Sequence, residues 1–416
     1  MNKQIDIVSI GDELLIGQVI NSNASWMGQK LSEQGLSVGR MLAVADTHNA
    51  ITDALNDASR NARIVLITGG LGPTKDDLTK DVAIDYFGGK LILDEAVRKH
   101  VAAFFMKRGF DLSKLNYWQA MVPENCQVIH NEVGTAPGMY FVQDDVHFFF
   151  MPGVPMEMKY LMNSWAIPFF KNLCKPDAYV EKTVLTHGMG ESFLADKIAD
   201  WENQLPAYFS LAYLPSPGRV RLRISARGKS EKELINELNT QIEKLNSLIP
   251  NLIYGYNNDT LEEVVGKLLL EKGASMSTAE SCTGGLIAHK MTTIPGSSQY
   301  FKGSVVAYSN EIKVSVLGVQ PEDIEANGAV SQEVVLQMAE NVRRIYKTDY
   351  AISVSGIAGP DGGTEDKPVG TVWIAVSSSR GTKARMFLFG GERIRNIDWS
   401  YQSALNMLRM ELLSER

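Results

Sequence analysis

The sequence predicts an α/β protein of three domains, on three observations. The chain has 416 residues, more than one hydrophobic core ordinarily serves. Over the first 170 or so residues, short apolar runs alternate with helical patterns, which is the signature of βαβ units and a mostly parallel sheet. The pattern then changes twice, near residues 175 and 256, and each change opens a new set of strands and helices.

In the first domain, 1–174, apolar runs at 4–10, 36–44, 63–68, 127–130, 138–142 and 146–151 read as strands. Helical periodicity covers 21–34, 48–60, 79–87, 94–108 and 155–172. In the second, 175–256, strands are expected at 179–186, 207–213, 219–226 and 252–255, with helices at 191–202 and 230–249. The 219–226 run is apolar on one face only, at Val220, Leu222 and Ile224. That βαββαβ order is a small ferredoxin-like or KH-like α+β layer. The polar break Tyr256-Asn-Asn-Asp259 ends it, with Asp259 placed to cap a helix at 260–272. The third domain, 257–416, is again α/β. Its strands are expected near 274–279, 300–308, 350–355, 369–377 and 383–389, and its further helices near 284–291, 311–317, 331–346 and 392–413.

Composition excludes several function classes. A formal net charge of -7 argues against a nucleic-acid binder acting through overall charge. A local basic string, Arg219, Arg221, Arg223, Arg227 and Lys229, could face phosphate or could be the solvent side of a strand. The cysteines Cys126, Cys174 and Cys282 are odd in number and far apart, which speaks against a disulfide framework. Neither C-x-x-C nor H-E-x-x-H occurs, and no run approaches the roughly 20 apolar residues of a membrane helix. The N-terminus enters a strand-like run rather than a signal peptide. These features together imply a soluble, cytoplasmic protein.

Two clusters carry chemistry. Thr278-Ala-Glu-Ser-Cys-Thr-Gly-Gly285 sets the Ser281 hydroxyl and the Cys282 thiol side by side, between a strand and a helix. There, backbone N–H groups can receive developing negative charge. Lys313, if desolvated enough to be neutral, can be the base for Ser281, with Tyr308 relaying the proton or donating to the oxyanion. The Gly-rich 355–363 loop suits a ligand phosphate. Taken singly, Ser281 and Thr283 also read as helix caps, Lys313 as a solvated residue and Tyr308 as packing. Cys282 competes as nucleophile, with His289 in the following helix as its only sequence neighbour of the right type.

The second cluster, Gly69-Gly-Leu-Gly-Pro-Thr-Lys-Asp-Asp-Leu-Thr79, follows a strand, where open α/β sheets place ligands. Its glycines allow close approach of a phosphate. Asp76 and Asp77 could cap the next helix or hold a hard divalent cation. Asp12, Glu13, Asn21 and Asn23 sit beside the first strand and read equally as caps. Neither a Walker A loop nor a dinucleotide fingerprint is present.

The first of these regions, through Gly11-Asp-Glu-Leu-Leu-Ile-Gly-Gln-Val-Ile-Asn-Ser-Asn23, Gly69 to Thr79 and Met151-Pro-Gly-Val-Pro-Met-Glu-Met158, resembles the molybdopterin-binding-like domain of the CinA (competence/damage-inducible) family. The resemblance implies a metal-dependent ADP-ribose pyrophosphatase that yields AMP and ribose 5-phosphate, with Mg²⁺, Mn²⁺ or Co²⁺ as cofactor. By the same resemblance, Asp76 and Asp77 would hold metal or water, with Glu13 as a weaker ligand. Gly70, Gly72 and Thr74 would meet phosphate, and Asn21 and Glu157 would complete the substrate site. Ala279-Glu-Ser-Cys-Thr-Gly-Gly285, Tyr308-x-Asn-x-x-Lys313 and Gly356-Ile-Ala-Gly-Pro-Asp-Gly-Gly363 resemble the family's second domain, the nicotinamide-nucleotide amidase, over about 258–413. It implies hydrolysis of the carboxamide of nicotinamide mononucleotide, with Ser281, Tyr308 and Lys313 catalytic and no cofactor. Glu280, Thr283, Gly284, Ser298, Ser355, Gly356, Gly359 and Arg393 would bind substrate. Ser355 stands where relatives often have Thr, and Glu392 where Asp is common. The family relation also implies a homodimer acting on small nucleotides, with no membrane or nucleic-acid partner. Two rivals are an amidase whose first domain is a nucleotide-binding regulator, and a competence accessory protein binding nucleic acid through the 219–229 strand.

Overall fold

The computed structural model describes residues 4–74, 77–107, 109, 118–216 and 218–414. The chain divides into two compact units, Met1–Val180 with Arg227–Leu234, and Glu181–Ala226 with Ile235–Arg416.

The first unit is built on a six-stranded sheet. Its strands in chain order are β1 (Gln4–Ile10), β2 (Val38–Val44), β3 (Ala62–Thr68), β4 (Leu91–Leu93), β5 (Met121–Pro123), β6 (Gln127–Ile129), β7 (Gly138–Gln143) and β8 (Val146–Met151). The sheet order is β2-β1-β3-β8-β7-β6, and β4 pairs with β5 in a separate two-stranded ladder. Strand β1 runs parallel to β2 and β3, and β3 parallel to β8, while β6, β7 and β8 are antiparallel neighbours. The β7–β8 hairpin turns on Asp144 and Asp145, both at positive φ (51° and 60°), the tight turn whose twist matches its strands. The central strands are mostly apolar because both faces are covered. Val8, Ile10, Ile67, Phe148 and Phe150 point to one core with Ile51 and Leu55, and Ile5, Ile7, Ile64, Leu66 and Phe149 to the other with Met27 and Leu31.

Two differences from the sequence reading have local causes. Strands β4 and β5 are three residues each, too short to show alternation. The helix expected at 155–172 is instead Pro155–Leu161, a π turn Met162–Ala166, and Ile167–Cys174. Pro168 has no N–H to give the Ser164 carbonyl, so regular α hydrogen bonding cannot run through.

The second unit holds two sheets. The smaller has β9 (Ala178–His187), β10 (Phe209–Ser216), β11 (Arg219–Gly228) and β12 (Ile253–Tyr256), ordered β10-β11-β9-β12. With helices Glu191–Asn203 and Glu231–Leu248, this is the expected βαββαβ layer. Along β11, Val220, Leu222 and Ile224 are buried while Arg221 and Arg223 are exposed. These arginines form the solvent side of the strand. The larger sheet has β13 (Met276–Glu280), β14 (Phe301–Val306), β15 (Tyr350–Gly356), β16 (Thr371–Ser378) and β17 (Gly381–Leu388), ordered β14-β13-β15-β16-β17. Strand β13 is parallel to both neighbours, and β15, β16 and β17 are antiparallel. Because β14 and β15 lie on opposite sides of β13, a crevice opens at the carboxyl ends of these strands.

The helix Leu261–Lys272 starts one residue later than a cap at Asp259 would put it. Thr260 caps it, its Oγ1 accepting from Glu263 N (3.3 Å) while the Glu263 carboxylate accepts from Thr260 N (2.9 Å). This reciprocal box satisfies two donors at once, and the Asp259 carboxylate takes Tyr256 N instead (2.8 Å). A further helix that the sequence reading missed, Pro321–Asn327, follows Asn310–Ser315. The last helix, Arg393–Leu413, carries buried Arg409, which donates to the carbonyls of Ile253 (2.9 Å) and Asn251 (2.8 Å). Among the described residues no helix is long and apolar enough to cross a membrane.

Arg409→Leu would strip charge-assisted bonds from two carbonyls at the end of β12. It should lower unfolding free energy by about 2–4 kcal/mol, read as a reduced denaturant midpoint of the full chain.

Candidate functional site

Ser281 is the first residue beyond β13, and its N–H donates to the Val354 carbonyl (2.9 Å), which holds it at the crevice. The chain then turns through Gly284 and Gly285, at φ 60° and 96°, into the helix Leu286–Thr292. Positive φ at both positions is what makes glycine necessary there. The turn is organised by the fully buried carboxylate of Glu280. It accepts from Thr283 Oγ1 (2.8 Å), Thr278 Oγ1 (3.3 Å), and the N–H groups of Gly285 (3.1 Å), Ile287 (3.0 Å) and Ala288 (2.8 Å). A carboxylate at this point satisfies orphan donors and complements the helix dipole. Neither Ser281 nor Thr283 caps the helix.

Lys313 comes from the helix Asn310–Ser315, which Ser309 caps through Ile312 N (3.3 Å). Its side chain is 2% exposed, and Nζ donates to Ser281 Oγ (3.0 Å) and the Ala307 carbonyl (2.8 Å). Among the described residues no carboxylate pairs with it. Burial therefore pushes its pKa below the ordinary lysine value. A neutral amine at hydrogen-bond distance from a hydroxyl is a base for that hydroxyl.

Cys282 is packed in the core of this domain. It is 6% exposed, and burial raises its thiol pKa to about 12, so it stays protonated near neutral pH. A Cβ on Gly356 would stand 3.1 Å from Cys282 Sγ. His289 is exposed on its helix. Of the two candidate nucleophiles, Ser281 is the one hydrogen-bonded to Lys313 among the described residues.

The remaining residues expected here fall into two groups. Tyr308 is 62% exposed, and its hydroxyl accepts from Arg393 (2.9 Å), whose other terminal nitrogen donates to the Gly359 carbonyl (2.7 Å). Tyr308, Arg393 and Gly359 thus come together as one hydrogen-bonded group. That arrangement orients Arg393, and the Tyr308 hydroxyl, as acceptor in that bond, keeps its own O–H free to donate. By contrast Glu280, Thr283 and Ser355 are committed internally: Ser355 Oγ donates to the Ala329 carbonyl (2.7 Å). Ser298 is exposed in the short 3₁₀ turn Ser297–Gln299, with no side-chain partner among the described residues. Asn396 escaped the sequence reading. Buried, it donates to the Ala358 and Gly391 carbonyls (3.0 and 2.8 Å) and accepts from Gly391 N (3.0 Å). It ties the 358–359 loop to the start of the last helix; its spacing from Arg393 gave no signal.

In the first unit the three motif stretches follow the ends of adjacent parallel strands β1, β3 and β8. Thr68 Oγ1 donates to the Pro152 carbonyl (2.9 Å), Gly69 N to Met151 (3.1 Å) and Asn23 Nδ2 to Gly153 (2.7 Å). Asn21 caps the helix Ser22–Glu33 through Ala24 N (3.1 Å) and also accepts from Ser9 (3.2 Å). Gly70 sits at φ 63° against Thr79. The Asp77 carboxylate closes its own loop, accepting from Gly72 N and Thr74 N (each 2.9 Å) and from the Thr74 hydroxyl. Asp76 lies outside the described residues. Glu13 is exposed in the short helix Asp12–Leu15. Glu157 accepts from Asn131 (2.7 Å), and burial raises its pKa. Among the described residues no three His, Cys, Asp or Glu side chains converge as a metal cage. Those residues alone therefore do not build one.

The fold and site define a multidomain α/β protein whose last domain encloses a serine against a buried lysine. Three family models match in succession: "Probable molybdopterin binding domain" over residues 6–172, "Damage-inducible protein CinA KH domain" over 181–255, and "CinA C-terminal domain" over 258–412. A CinA-like protein of Flavobacterium psychrophilum is 46% identical, covering 98% of each chain. One from Cytophaga hutchinsonii is 42% identical over 99% of each. The crystal structure of competence/damage inducible protein CihA from Agrobacterium tumefaciens is 36% identical, covering 37% of this chain and 97% of that one, with a TM-score of 0.35. The chain belongs to the CinA family.

Glu280→Gln keeps the shape but removes the charge and turns an acceptor into a donor facing other donors. It should destabilise the fold by about 2 kcal/mol, seen as a lowered melting temperature. An unchanged melting temperature would show that the carboxylate does not organise the turn.

Proposed function

We propose that the second unit is a serine amidase that deamidates nicotinamide mononucleotide to nicotinate mononucleotide and ammonia. The observation that carries this reading is the 3.0 Å contact between Lys313 Nζ and Ser281 Oγ, with no carboxylate paired to Lys313 among the described residues. Ser281 Oγ attacks the carboxamide carbon and its proton passes to neutral Lys313. The same nitrogen then returns the proton to the departing amine, which leaves as ammonia. A water molecule hydrolyses the acyl-serine by the same route. The bonds that hold Arg393 to Gly359 and Tyr308 support a role for it in pairing with the nucleotide phosphate.

For the first unit the proposal is hydrolysis of ADP-ribose to AMP and ribose 5-phosphate with a divalent ion. The strand-end loops of β1, β3 and β8 support a phosphate site there. The full use of Asp77 within its loop favours the second reading, in which this unit binds nucleotide without cleaving it. Chelation distinguishes them. If the pyrophosphatase reading holds, EDTA abolishes AMP release from ADP-ribose, and Mn²⁺ or Co²⁺ restores it, while ammonia release from nicotinamide mononucleotide is untouched. No AMP under any metal leaves the regulator.

Two outcomes test the amidase. Ser281→Ala should lower ammonia release by on the order of a thousandfold or more, whereas Cys282→Ala should retain it. The pH profile follows from Lys313. Its base form grows as pH rises, so kcat/KM should climb through one ionisation centred below the ordinary lysine value of 10.5. Lys313→Arg, fixed in the charged form, should be inactive at every pH. A flat profile would remove Lys313 as the base.

A further inference from the structure

Away from the serine–lysine pair, the second unit contains a cavity of about 660 Å³, within the range of small-molecule sites. The turn after β9, the β10–β11 turn, β17 and the last helix enclose it. Its walls combine aromatic faces with positive charge. Phe387 and Phe389 stack at 5.4 Å and 20°, and Phe389 meets Trp399 at 5.5 Å. The Arg385 guanidinium lies 4.9 Å from the Phe387 ring centre, and Arg219 is a second cation in the lining. Glu191 is the only acid among the lining residues.

Several polar atoms around the cavity are buried without a partner: both ring nitrogens of His187, Arg219 Nε, Trp399 Nε1 and, beside Gly218, Gln402 Oε1. His187 is only 6% exposed. Burial, with Arg409 and Arg219 nearby, holds its pKa down at about 4, so near neutral pH it offers one donor and one acceptor. Each orphaned group is buried with almost no accessible surface, at a cost in free energy. Gly218 packs close to the indole, since a Cβ there would lie 3.3 Å from Trp399 Cδ1.

We propose that this cavity is a second ligand site, for a planar heteroaromatic ring bearing an anionic group. The ring would stack on the Phe389–Trp399 wall, and the anion would pair with the guanidinium groups of Arg219 and Arg385. The inference is independent of the reaction assigned to Ser281.

The test uses the full chain labelled with 5-fluorotryptophan, the Trp399 fluorine resonance being assigned with Trp399→Phe. 5′-AMP, as ring plus anion, should shift that resonance saturably. Adenosine, lacking the anion, and ribose 5-phosphate, lacking the ring, should each bind at least tenfold more weakly. Arg385→Gln, a change on an exposed strand position that should leave the fold intact, should weaken the AMP response at least tenfold. Arg219→Gln is checked for folding by circular dichroism and should do the same. A resonance unmoved by millimolar AMP overturns the proposal. So does a response that ribose 5-phosphate reproduces, or one that survives Arg385→Gln, since binding elsewhere would then be its source.

Discussion

The geometry of the serine site depends on one buried carboxylate. Glu280 gathers five donors from β13 itself, from the turn after it and from the first turn of the next helix. Without that charge, three N–H groups and two hydroxyls would be left in a dry interior, each at a cost of about 1–3 kcal/mol. The carboxylate therefore fixes where the helix begins and how the chain leaves the strand. Ser281, the very next residue, inherits its position from that constraint and from its own bond to Val354. An anion built into the protein already occupies this helix start. Arg393, bonded to Gly359 and Tyr308, is a cation at the mouth of the same crevice.

The same low-dielectric surroundings act differently on three neighbouring groups. Burial lowers the Lys313 pKa and raises that of Cys282, in both cases by disfavouring the charged form. For the lysine this favours the neutral amine; for the cysteine it favours the protonated thiol over the thiolate. Glu280 stays in the same interior because its oxygens are fully hydrogen-bonded. Burial thus separates the roles of residues that lie close together in sequence or space.

In the first unit, packing of the sheet on both faces brings the motif stretches to one end. Strands β1, β3 and β8 are adjacent and parallel, so the loops after Ile10, Thr68 and Met151 come out side by side. Backbone bonds then tie these loops to one another. Asp77 serves as this loop's internal acceptor, taking Gly72 N, Thr74 N and the Thr74 hydroxyl.

Much of this was legible in the sequence. Apolar runs covered on both faces, the one-sided alternation of Val220, Leu222 and Ile224, and the Gly284–Gly285 turn are local patterns with one physical solution each. Ser281 and Lys313 could be nominated because their chemistry is intrinsic to the residue types. Local pattern also determined the existence of the helix at 260–272, though not which of two adjacent polar residues caps it. What only the tertiary structure decided was who touches whom. The pairing of Lys313 with Ser281 spans 32 residues, and that of Arg393 with Tyr308 spans 85. Neither spacing carries a periodicity that could announce it. The internal bonds of Glu280 and Ser355, and the burial that lowers the Lys313 pKa, are likewise properties of packing. They arise because burial and hydrogen-bond satisfaction are set by whatever the fold brings alongside, which no stretch of sequence contains by itself.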